Sequence, residues 1–338
     1  MDALWIMLKN VLMFVAYALP GFILVKSKLL KTDESLALSK ILTYVGMPFL
    51  ILSSTISIDL TSAFIKTAIT AVFACFAITF AFFFLTIFLT KNEKQEKKRG
   101  VMRFAMTFCN NGFLGIPLAM AVFKDNPFII SVAVVFNIVN NMLLYTVGAY
   151  LISGDKSKIS FKKALINPVI FSFILGVLLN LLKIADYVPE VATFSDGVKG
   201  IVTPLSMMIL GIKLANVPIK SLFNSLSVYY VSFIKLIVMP IISVVVGVLL
   251  IKALSLNVDA IYAFFIAFAV PTASLATTFA DQFNGDTNAS VSCTLGSTIL
   301  SVITIPVLFY LLNFLSLLSS FIIIFLLKKT HPLKALSI

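Results

Sequence analysis

Two short polar stretches interrupt an otherwise apolar chain of 338 residues. The first is Cys109-Asn110-Asn111-Gly112-Phe113-Leu114-Gly115-Ile116-Pro117, and the second is Pro271-Thr272-Ala273-Ser274-Leu275-Ala276-Thr277-Thr278. The chemistry they offer is non-covalent. Asn110 and Asn111 carry amides, Thr272 and Ser274 carry hydroxyls, and an unwound backbone exposes its own N–H and C=O groups. Gly112 and Gly115 permit conformations that other residues avoid. Pro117 lacks a donor but suits the first turn of a helix. The pattern predicts a helix, a short unwound segment, then a second half-helix starting near Pro117. The same is expected at Pro271, with Thr272 and Ser274 bonding the freed backbone. Each half-helix start would bring unpaired N–H groups and about half a positive charge, which favours an anion. The preceding half-helices bring carbonyl ends to the same place, so the field is mixed.

Further polar residues fall inside apolar runs. Asn137, Asn140 and Asn141 share one run, and positions 137 and 141 lie on one helical face. They suit either a site or hydrogen bonds between helices. Ser53 and Ser54 follow Pro48 by about one turn. Lys235 lies roughly 14 residues into its run, near mid-membrane. Such a lysine either serves the site or snorkels to the surface. No Asp or Glu lies at the centre of any run, so a carboxylate relay lacks a candidate. Cys75, Cys109 and Cys293 have no zinc-ligand spacing, and the single histidine, His331, is in the tail. No metal site, cofactor motif or catalytic cluster is visible, and an enzyme is not expected.

The elements that must position these groups are membrane helices. The chain is 60% apolar and only 12% charged, whereas a soluble domain is about a quarter charged. Ten stretches have about the 20 residues a crossing needs: 3–25, 35–58, 63–90, 104–123, 127–153, 164–182, 197–215, 221–251, 260–283 and 287–312. The first reads as a retained span rather than a signal peptide, because its start is acidic at Asp2. The net charge of +12 does not imply nucleic acid. Its basic residues gather in alternate connections: Lys26, Lys28 and Lys31; Lys91 to Arg103; Lys156, Lys158, Lys162 and Lys163; Lys213 and Lys220. Fewer fall on the opposite side, among them Lys66, Lys124 and Lys183. This predicts a cell-membrane protein with an extracellular N-terminus.

The two halves repeat. Pro48 and Pro117 stand 69 positions apart, and Pro204 and Pro271 stand 67 apart. Five spans per half is odd, so the second half would enter from the opposite side, as in inverted-repeat transporters. The expected organisation is a first repeat over 1–153, a cytoplasmic linker over 154–163, an inverted repeat over 164–312 and a tail over 313–338. Residues 314–327 are apolar but reach only about 21 Å as a helix. They would extend span ten, lie at the interface or form an eleventh span.

On Asn110-Asn111-Gly112-Phe113-Leu114-Gly115-Ile116-Pro117 and Phe279-Ala280-Asp281-Gln282-Phe283-Asn284, the sequence resembles the auxin efflux carrier family. That family includes plant PIN auxin exporters and microbial malate permease-like proteins. Gly46-Met47-Pro48 and the Lys235…Pro240 pattern also fit. The resemblance implies ten helices as two inverted five-helix repeats, with spans four and nine crossing at Pro117 and Pro271. It implies a dimerising scaffold of spans one, two, six and seven, with the other spans moving as an elevator. The substrate carboxylate would contact Asn110, Asn111, Ser53 or Ser54, and Asn137. The implied function is secondary transport of small organic anions, in the direction of efflux. An inside-negative potential would drive this with about 2.3 kcal/mol per charge per 100 mV. A non-transporting ligand sensor or scaffold on the same fold is the alternative.

Overall fold

The computed structural model describes residues 2–56, 58–123, 126–215, 217–218 and 222–330, with backbone alone for 2–4 and 315–330. Lys124, Asp125, Lys220 and His331 lie outside the described residues. Within them all regular structure is helical, and the β pairing is one isolated bridge. Eight helices among the described residues are long and apolar enough to cross a membrane. In chain order the helices are α1 (Asp2–Lys26), α2 (Thr32–Ile56), α3 (Ser62–Leu89), α4 in two halves (α4a Glu96–Thr107, α4b Asn111–Val122) and α5 (Pro127–Ser153). They continue as α6 (Lys156–Leu181), α7 (Pro189–Ala215), α8 (Leu226–Leu254), α9 in two halves (α9a Ala260–Ala269, α9b Leu275–Gln282) and α10 (Thr287–Thr330).

Local chemistry sets several boundaries. The Thr61 hydroxyl accepts from the Phe64 N–H at the start of α3, and the Asn126 amide oxygen accepts from the Ile129 N–H at the start of α5. Pro127 follows Asn126 directly, where its missing N–H costs nothing. At the other end of α2, the Asn180 amide donates to the Thr55, Ile56 and Ile58 carbonyls. These are the acceptors a helix end leaves unmet.

The structure corrects two expectations. Residues 91–103 are not wholly a loop, because α4a begins at Glu96. Its Lys and Arg side chains lower hydropathy but are good helix formers. Second, the α-helical part of α4b does start at Ile116, beside Pro117 as expected, but a π-turn extends the helix back to Asn111. A wide π-turn, Asn111–Gly115, ends two residues before Pro117. The turns Leu42–Gly46 and Ile234–Val238 stand likewise before Pro48 and Pro240. Proline removes a donor and clashes with the carbonyl four residues back. Widening the turn accommodates both defects without ending the helix.

Packing sorts the helices into two groups. In one, α1 lies along α7, while α2 packs on α6 and on the first half of α7, where Phe49 meets Phe194 edge-on. In the other, α5 is central to α3 and α9a, and Phe136 sits between Phe264 and Phe268. Lipid offers no hydrophobic reward for helix association, so close backbone approach matters more. At Gly21 and Gly211 a Cβ would collide with the backbone oxygens of Met208 and Ala18 respectively. Replacing Gly211 with leucine is expected to force α1 from α7 at a cost of about 1–3 kcal/mol. The purified variant should unfold at least several degrees lower in detergent. An unchanged melting temperature would contradict this packing.

Candidate functional site at the helix crossing

α4a ends at Thr107 and the chain becomes extended at Phe108, while α9a ends at Ala269 and Val270 is extended. The two unwound segments pair antiparallel, with Cys109 opposite Thr272. The Asn110 N–H donates to the Pro271 carbonyl at 2.9 Å, and the Ala273 N–H donates to the Phe108 carbonyl at 3.1 Å. Breaking a helix strands donors and acceptors, which is costly in an oily interior. Here each break supplies partners to the other.

Side chains complete the accounting. The Thr272 hydroxyl donates to the Ala105 carbonyl of α4a at 2.9 Å, so it serves the opposite broken helix rather than its own. The Thr272 N–H reaches the Ser297 hydroxyl on α10, and the Asn140 amide on α5 donates to the Cys109 carbonyl. Lys235 on α8 is fully buried, and its ammonium approaches the Cys109 and Met239 sulfurs. It therefore does not snorkel. Cys109 lies two residues past the end of α4a, so the cation stands near the negative end of that helix dipole.

Two cavities flank the bridge and share Asn110, Phe113 and Ser274 in their walls. The larger, about 260 Å³, extends between α7 and α10 and includes Lys213, Thr277 and Thr294. The smaller, about 90 Å³, is lined by Gly112, Asn137, Asn140, Asn141 and Tyr145. No carboxylate lines either cavity among the described residues. The Asn137 amide oxygen accepts from Asn141, while its buried nitrogen has no hydrogen-bond partner. The first N–H groups of α4b, at Asn111 to Phe113, start a helix and lack acceptors within it.

The residues singled out from sequence thus divide. Asn110, Gly112, Ser274 and Asn137 reach the cavity walls. Asn111, Pro117, Pro271, Thr272 and Lys235 are buried behind them and shape the crossing. Ser53 and Ser54 line neither cavity. The Ser53 hydroxyl donates to Asp196 and accepts from Lys199, and that of Ser54 bonds the Leu50 carbonyl of its own helix. Lys213, Tyr145, Ser206 and Thr294 are among the lining residues that sequence reasoning did not single out. Lys213 looked like a loop charge because it lies near a span end, although the helix carries it inward to the cavity.

A helical membrane protein whose two broken helices exchange backbone bonds beside polar cavities has the features of a membrane transport protein. The family model for membrane transport proteins matches residues 6–309, and the chain belongs to that family, the auxin efflux carriers. A protein of Methanothermobacter thermautotrophicus described as an uncharacterized transporter is 25% identical over 302 residues, covering 88% of this chain and 96% of that one.

The Thr272 hydroxyl offers a direct test of the crossing. Thr272→Val keeps the shape but leaves the buried Ala105 carbonyl without its partner, at a cost of about 1–3 kcal/mol. Thr272→Ser is expected to retain most of the stability in a thermal melt. Equal melting temperatures for wild type and the valine variant would contradict the bond's role.

Proposed function

We propose that the protein is a secondary transporter of small organic anions, carboxylates of the auxin or malate kind, and that it holds them at the crossing. The observation that carries this reading is the charge of the cavity walls: Lys213 contributes a cation and no described lining residue is acidic. The unpartnered Asn137 amide nitrogen and the α4b start add donors suited to a carboxylate. Asp281 interacts with Lys213 electrostatically from outside the lining.

The larger architecture belongs to the same proposal. Ten crossings form two inverted five-helix repeats, 1–153 and 164–312, joined by 154–163 and followed by the tail 313–338. Supporting this, Asn140 of α5 bonds one unwound segment and Ser297 of α10 the other, so equivalent helices serve equivalent breaks. The group α1, α2, α6 and α7 acts as a scaffold and homodimerises, and the remaining helices slide against it as an elevator. The larger cavity lies between these groups, where such movement would open and close it. The basic connections face the cytoplasm, the N-terminus is extracellular and net movement is efflux.

Flux of radiolabelled mono- and dicarboxylates in proteoliposomes under imposed voltage and ion gradients tests the reading. Asn110→Ala, Asn137→Ala and Lys213→Met are each expected to lower flux about tenfold or more, the loss of a charge-assisted contact. Ser54→Ala should transport like wild type. Ligand-dependent thermal shifts without flux would favour a sensor, and neither binding nor flux for any organic acid would overturn the proposal.

A further inference from the structure

Away from the crossing, a third cavity of about 520 Å³ opens between α3, α5 and the first turns of α6. Its walls are almost wholly apolar, with Phe76, Phe80 and Phe83 on one side and Phe161 and Leu165 on the other. None of the crossing residues lines it. The segment 156–163, which gives Ile159 and Phe161 to the wall, also carries Lys156, Lys158, Lys162 and Lys163, all exposed. None of the four forms an ion pair among the described residues. The nearby carboxylate, Asp155, is engaged by the Ser157 N–H and hydroxyl, which with a weaker contribution from Lys158 hold it below the usual carboxylate range. Tyr150 adds a phenol to the same wall.

The local backbone explains this juxtaposition. Ser160 caps a short helix, Phe161–Leu165, by accepting from the Lys163 N–H. Asn167 caps a new helix that starts at Pro168, so the helical path is interrupted between Leu165 and Pro168. The Ser160 N–H also bonds the Tyr145 carbonyl, pinning this step against α5. Phe161, Leu165 and Ile166 are left exposed next to the lysines. An apolar slot under a cluster of basic side chains matches a molecule with an acyl chain and an anionic head.

We propose that this groove is a binding site for one anionic phospholipid, with an acyl chain between α3, α5 and Phe161 and the phosphate-bearing head at Lys156, Lys158, Lys162 and Lys163. The site joins α3 and α5 to the first turns of α6.

The sole tryptophan, Trp5, lies on α1, outside this groove, and is exposed. Trp5→Phe combined with Phe161→Trp moves the fluorophore to the groove mouth. Quenching is then read in vesicles containing phosphatidylcholine and phosphatidylglycerol, with brominated acyl chains on one lipid or the other. Brominated phosphatidylglycerol is expected to win the site by at least about fivefold at low salt. The preference should shrink at high salt and approach unity when the four lysines become glutamine. Trp5 in the wild-type chain should report no preference. Equal quenching by the two lipids at Phe161→Trp would overturn the proposal, as would a preference that survives loss of the lysines. Phe80→Trp in the same Trp5→Phe background reports from the α3 wall and repeats the measurement should the Phe161 variant misfold.

Discussion

Everything in this fold turns on two antiparallel hydrogen bonds between segments that belong to no strand. An apolar interior will not solvate a free N–H or C=O, so a broken membrane helix needs replacement partners. Asn110 and Ala273 donate across the break to Pro271 and Phe108, so neither interruption is satisfied without the other. Thr272 of the second unwound segment, Asn140 of α5 and Ser297 of α10 then take up part of the remaining backbone. The polar side chains around the crossing are thereby split between two tasks. Some hold the backbone, and others stay free to meet a ligand.

That division explains the distribution of charge. Lys235 meets the Cys109 and Met239 sulfurs behind the bridge and lines neither cavity, whereas Lys213 reaches the larger cavity from α7. The two lysines therefore differ in place: one is buried at the break, and the other puts a cation in the wall of the larger cavity. In the proposed transport cycle only the second would meet substrate directly.

The sequence made the existence of both breaks legible because Asn, Gly, Pro and Thr are conspicuous among Leu, Ile and Phe. Pro117 marked the α-helical start of α4b at Ile116, but not the π-turn that carries the helix back to Asn111. The first turns of α4a were hidden by their lysines and Arg99, which hydropathy scores as loop. Ser53 and Ser54 show a deeper limit. Their spacing from Pro48 says which helix they occupy, but not that Asp196 and Lys199 claim the Ser53 hydroxyl. Conversely, nothing in spacing alone brings Lys213 beside Asn110, since that depends on how α7 lies against α4b and α10. The family resemblance stands on residues 6–309, most of the chain.

Cys109 and Thr272 form a non-hydrogen-bonded antiparallel pair, for which Cα atoms lie about 4.5 Å apart and within disulfide range. Thr272→Cys in a Cys75→Ala, Cys293→Ala background therefore places two thiols across the bridge. Membrane-permeant oxidant should convert them to an intramolecular disulfide, seen by mass spectrometry as a peptide linking the α4 and α9 segments. A folded, monodisperse variant that yields no such link would show that the two breaks do not meet.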